Sequence, residues 1–122
     1  MVNIIKVIDG ATATATSQAI NIEGAKKVVL VAQRAAHGSG NTAWTGTVSV
    51  DGTNFIAYNK WIRNLANAIA EGVTRVTTLT QAANGLDFMT MDPDDGFKEI
   101  KITATETTDG THSAWLYIEY EN

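Results

Sequence analysis

The sequence has no cysteine, a single proline and few charges, and each shortage excludes something. Without cysteine there is no disulfide staple, no thiolate metal site and no cysteine nucleophile. Charged residues make up only 18% of the chain, and its cations are dispersed: Lys26, Lys27, Arg34, Lys60, Arg63, Arg75, Lys98 and Lys101 form no basic block. A nucleic-acid binder needs a basic footprint to neutralise phosphates. With a net charge of −4 this chain offers none, and no nucleic-acid partner is expected. Long apolar runs are missing too. Nothing approaches the ~18 residues of a membrane span, and the opening MVNIIK is too short and too mixed for a signal peptide. The chain is expected to be made and folded in a cytoplasm, away from membranes.

What is present is material for one core. Hydrophobic residues are 44% of 122, enough for a single domain over residues 1–122. The remaining surface is largely Thr, Ser and Asn. Such a surface suits strands that face another protein, and equally suits ordinary exposed β faces.

The clearest local signal lies in residues 42–58, TAWTGTVSVDGTNFIAY. Trp44, Gly46, Val48 and Val50 fall on one side, and Thr45, Thr47 and Ser49 on the other. A period of two marks a strand with one buried and one wet face. Asp51-Gly52 then breaks the pattern before Phe55, Ile56, Ala57 and Tyr58 resume it. Asp-Gly between two such runs predicts a β-hairpin, because glycine accepts the positive φ of the tight turn.

Residues 2–8 read as a first strand closed by Asp9-Gly10. The run Ala11-Thr12-Ala13-Thr14-Ala15-Thr16 has no large side chain to bury. It is either an extended edge segment or an arm, within residues 1–25, that orders against a neighbouring subunit. Residues 19–22 form a short strand. Residues 27–33 (KVVLVAQ) are apolar on both faces, as in a central strand, and residues 34–41 (RAAHGSGN) read as a loop. In residues 59–72, Ile62, Leu65 and Ile69 keep helical spacing and Gly72 offers a stop, so a short helix is expected. Residues 73–81 (VTRVTTLTQ) form a strand whose phase slips between Val76 and Leu79, which predicts a bulge. In residues 86–91, Leu86 and Phe88 compete with Met89 and Met91 for the core. Residues 97–107 alternate with Ile100, Ile102 and Ala104 inward, and Asp109-Gly110 marks a second hairpin. The last strand turns Ala114, Leu116, Ile118 and Tyr120 inward, leaving Trp115 and Tyr117 on the other face. About eight or nine antiparallel strands with at most one short helix predict an all-β fold, a β-sandwich of jelly-roll type.

No residue set announces a reaction. His37 and His112 sit in Gly/Ser/Thr-rich contexts, and His-Gly-Ser-Gly is not the nucleophile elbow of a hydrolase, so solvated loop histidines are expected. Asp92, Asp94 and Asp95 crowd one turn, where hard oxygens at this density can hold Ca²⁺. The twelve-residue calcium loop is absent, however, and the same residues make an ordinary turn. They are weak metal candidates, and no metal or cofactor is expected. Trp115 and Tyr117 carry more area, roughly 150–250 Å² each. Three readings stand: a second sheet covers them, they meet another subunit, or they stack on sugars. Trp44 and Trp61 are assigned to the core.

The succession KKVVLVAQRA, WTGTVSVDGTNFIAY, TRVTTLTQAANG and FKEIKITATETTDGTHSAWLYIEYEN resembles a group of small phage virion proteins, β-sandwich components of heads and tails. The likeness runs over residues 26–121, and residues 49–55 are also similar to a hairpin of discoidin-like carbohydrate-binding jelly rolls. The resemblance implies a non-enzymatic structural protein of the bacteriophage virion, most of all a capsid decoration or stabilisation protein. It would be a homo-oligomer, with a trimer as one form, binding the major capsid protein or other virion subunits. Thr12, Thr14, Thr16, Trp115 and Tyr117 are the candidate interface residues. Two alternatives stand beside it: a carbohydrate-binding module for a glycan, and a subunit of an extracellular filament or tube.

Overall fold

The computed structural model describes residues 1–63, 75–91 and 96–120. They form β1 (Val2–Ala11), β2 (Ala15–Thr16), β3 (Ile20–Asn21), β4 (Ala25–Ala35), β5 (Gly40–Ser49), β6 (Ile56–Ala57), β7 (Trp61–Ile62), β8 (Arg75–Val76), β9 (Leu79–Gln81), β10 (Gly85–Thr90), β11 (Glu99–Thr108) and β12 (Thr111–Tyr120). The first sheet has the order β1-β12-β4-β10-β7-β8. The second runs β2-β11-β5-β6, with β3 also on β11 and β9 also on β5. All pairings are antiparallel, so the molecule is an all-β sandwich.

Period-two alternation fills the space between the sheets. Val28, Leu30 and Ala32 of β4 and Ala114, Leu116 and Ile118 of β12 come from the first sheet. Trp44 and Val48 of β5 and Ile100, Ile102 and Ala104 of β11 come from the second. Trp44 and Trp61 are wholly buried, as expected. Met89 and Met91 win the competition in and after β10, which puts Leu86 and Phe88 outside.

The hairpin at Asp51-Gly52 is present: Thr47 pairs with Ala57 and Val48 with Ile56. Val50 departs from the expected pattern, because β5 ends at Ser49 and Val50 stands exposed in the turn. Gly52 has φ 81°, as the turn demands. Asp51 Oδ1 accepts from the N–H groups of Asn54 and Thr53, each at 2.8 Å, and from the Ser49 hydroxyl at 2.9 Å. Its Oδ2 takes the Asn54 side-chain amide at 2.8 Å. These donors, the Asn54 and Thr53 N–H groups first, hold the carboxyl well below the usual carboxylate range. A depressed folded-state value stabilises the protein above the unfolded value of about 4, and that stabilisation drains away as pH falls below it. Urea midpoints of Asp51→Asn should therefore fall less between pH 4 and pH 2 than those of the parent chain. Parallel slopes would show that Asp51 does not report on folding.

Four sequence expectations are corrected. The second Asp-Gly turn joins β11 to β12, which lie in opposite sheets, so it is an arch between sheets and not a hairpin. The slip between Val76 and Leu79 is likewise a change of sheet: β8 belongs to the first and β9 to the second. A period-two signal records which face is buried but not which sheet the strand joins. The helix expected over 59–72 is contradicted at Trp61 and Ile62, which pair with β8 and β10 as β7. The rest of it, from residue 64, lies outside the described residues. Arg34 closes the inward row of β4 and is buried, where a loop was expected.

Candidate interaction surface

The outward residues of the first sheet form four rows across β1, β12, β4 and β10. The register aligns Val2 with Glu119 and Lys27, and Ile4 with Tyr117, Val29 and Thr90. Next come Lys6, Trp115, Val31 and Phe88, and finally Ser113, Gln33 and Leu86. Parity settles the direction, since Val28, Leu30, Ala114, Leu116 and Ile118 point into the core. Val2, Ile4, Leu86, Phe88 and Tyr117 are all exposed, Leu86 to 66% and Ile4 to 58%. Val29, Val31 and Trp115 between them are half-buried. Thus the second sheet does not cover Trp115 and Tyr117, and the two strands flanking β12 extend their patch. A shallow groove on this face is lined by Val2, Lys27, Val29, Val31, Tyr117 and Glu119. Lys6 Nζ sits 5.2 Å from the centre of the Trp115 ring and 2.7 Å from Asp9 Oδ1, which leaves Tyr117 as the more open of the two rings.

Trp115 and Tyr117 are legible as the outward residues of the last strand, and Val29 and Val31 as one side of the two-sided apolar run of β4. Leu86 and Phe88 became legible only once Met89 and Met91 had taken the core.

The other predicted interface residues lie elsewhere. Thr14 and Thr16 lie along the edge of the second sheet, where β2 pairs with β11, and Thr12 lies in the link between β1 and β2. The Thr16 and Thr103 hydroxyls are 3.0 Å apart, and Thr14 Oγ1 accepts the Glu106 N–H at 3.0 Å. Residues 14–16 are thus paired within the chain on β11. Asp92, Asp94 and Asp95 lie outside the described residues, and no cluster of metal-ligating side chains occurs among the described ones.

One polar constellation is buried at the end of the sandwich where two arches cross between the sheets, the β4–β5 connection and the β11–β12 connection. Arg34 donates to Thr42 Oγ1 and to the Asp109 carbonyl, each at 2.7 Å. It also reaches the Ser39 carbonyl and Asp109 Oδ1, each at 3.1 Å. Asp109 in turn accepts the N–H groups of Gly38 and Ser39, which with the nearby Arg34 charge hold its carboxyl below the ordinary carboxylate value. A Cβ at Gly110 would collide with the Arg34 guanidinium, so glycine is required for the arch to close over it. His112 is wholly buried, sharing a 2.8 Å hydrogen bond with Thr42, and Glu106 Oε1 lies 3.4 Å from its Nε2. This corrects the loop assignment of His112: β12 starts at Thr111, and His112 heads the inward row Ala114, Leu116 and Ile118. His37, half-buried, receives the Arg34 Nε–H on its Nδ1 at 3.1 Å. The partner of His37 is thus Arg34 and not the hydroxyl of the nearby Ser39. The constellation ties the β4–β5 and β11–β12 arches together.

No protein-family model matches the chain, and no curated protein matches it in sequence. Its fold does have solved relatives in shape. It is similar to the crystal structure of the SPBc2 prophage-derived protein YomS, with TM-score 0.64 and 7% identity over 98% of this chain and 94% of that one. It is also similar to a structure described as Bacillus endospore appendages forming a novel family of disulfide-linked pili, with TM-score 0.50 and 15% identity over 99% and 89% of the two chains. The discoidin-like likeness of residues 49–55 finds no support in these comparisons. At such identities what is shared is the β-sandwich fold.

Proposed function

We propose that this chain is a non-enzymatic structural subunit that self-associates, as a component of a phage virion or of a related filament. The observation that carries the reading is the outer face of the first sheet, where five exposed apolar side chains adjoin three half-buried ones. A contiguous patch of this kind marks an interaction surface. The sandwich fold shared with a prophage-derived protein and with a pilus protein supports a building-block role. Within that role, capsid decoration or stabilisation is the finer reading, with Trp115 and Tyr117 on the contact face and Thr12, Thr14 and Thr16 as a second contact along the edge. The filament reading has a chemical constraint: with no cysteine, this chain cannot link to its neighbours through disulfides. Many copies on a symmetric assembly gain avidity, so each contact can be modest.

The test is sedimentation of the purified protein, electron microscopy at high concentration, and pull-down with undecorated phage shells. Concentration-dependent association, filaments or shell binding is the expected result. A protein that stays monomeric and binds no shell would overturn the reading.

A further inference from the structure

We propose that the outer face of the first sheet joins two copies of this chain face to face, about a two-fold axis running along the strands between β12 and β4. This rests on the structural-subunit reading and gives it a partner and a geometry. Size is the first argument. Four strands about 4.8 Å apart, each with outward residues about 6.8 Å apart, present a face on the order of 500 Å² in projection over four rows. That places it at the small end of specific interfaces, of which ~800 Å² per partner is the standard size. The composition fits an interface core, with Tyr117, Trp115, Phe88 and branched aliphatics at the centre and Lys6, Lys27, Glu119 and Gln33 at the margin.

Charge decides the orientation. A two-fold interface is self-complementary, each contact occurring twice. With the axis along the strands, each row meets the same row of the partner, and β12 lies over the partner's β4. Tyr117 and Trp115 then pack on valines equivalent to Val29 and Val31. Glu119 comes opposite the partner copy's equivalent of Lys27, and the same pair repeats across the axis. Turning the axis across the strands would instead set Glu119 over the partner copy's equivalent of Ser113 and Lys27 over that of Gln33, leaving both charges without an opposite one. Within one chain Glu119 is only loosely engaged, at 3.8 Å from Lys26.

Opposite charges across the axis make the test specific. Lys27→Glu and Glu119→Lys are each made alone, and both sites lie on the sheet surface, so folding is checked by thermal melts. Each variant puts two like-charged contacts into its own dimer and should associate about tenfold more weakly than the parent chain in sedimentation equilibrium. Mixing the two variants restores both contacts, and a mixed dimer should form with near-parental affinity. Mixing leaves the like-charged neighbours within each chain unchanged, so rescue reads only the contact between chains. If the parent chain forms trimers, or associates while neither variant weakens it, the two-fold arrangement is wrong and the structural-subunit reading survives on another surface. Weakening without rescue on mixing overturns the proposed axis. A parent chain that stays monomeric to millimolar concentration and binds no shell removes both.

Discussion

Replacing Arg34 with Met should lower the free energy of unfolding by about 3 kcal/mol, the lower end of the cost of breaking a buried ion pair. The side chain is inaccessible to water, and the substitution keeps much of its volume while deleting every donor. Asp109 is 39% exposed on its side chain and regains water, which discounts its share. Thr42 and the carbonyls of Ser39 and Asp109 cannot recover so easily, since they face the space Arg34 leaves. Against a typical total of about 5–15 kcal/mol this is a large fraction. Arg34→Lys should not rescue it, because a single ammonium cannot reach acceptors spread along a planar fork. Urea unfolding followed by tryptophan fluorescence gives the number. A loss below about 1 kcal/mol would mean that the two arches hold without their guanidinium tie.

A larger loss, about 3–5 kcal/mol, is expected for Trp61→Ala. Trp61 belongs to β7 of the first sheet, yet its ring reaches β5 of the second. A Cβ built on Gly46 would lie 2.9 Å from Trp61 Cζ2 and 3.6 Å from Ile102 Cδ1. Tyr58 stands edge-on to the indole at 5.1 Å and also edge-on to Phe97 at 5.8 Å. Deleting the indole therefore opens a cavity walled by both sheets, with little freedom to collapse. The close approach makes a second measurement available. Gly46→Ala alone should cost about 1–3 kcal/mol by overpacking, and less when combined with Trp61→Phe, whose smaller ring gives way. Additive losses would place the two residues out of contact.

Much of this architecture was legible because period-two patterns survive in antiparallel strands. The Asp51-Gly52 hairpin and the inward rows of β11 and β12 came directly from alternation. The misreadings of Arg34 and His112 share one cause. Like Thr42, both fall in phase with the apolar rows of their strands. A charge or an imidazole at such a position reads as the end of the strand, when it was the row continuing into a buried polar patch. Only the three together, contributed by β4, β5 and β12, satisfy one another, and no single strand carries that information. The apolar outer face was half visible for the same reason: its four rows are assembled by pairings among residues far apart in the chain.

β12 occupies the slot between β1 and β4, yet it is the last strand in sequence order. A ribosome completes it after every other strand described here has been made. Until then β1 has no neighbour in its sheet and β4 has only one of its two. The first sheet therefore closes only after synthesis passes residue 120, and its outer surface comes into being at that moment. Until β12 pairs, β4 keeps one edge open and the outer face lacks Trp115 and Tyr117, so the strand that completes the surface is also the one that ends the exposure of that edge to stray pairing.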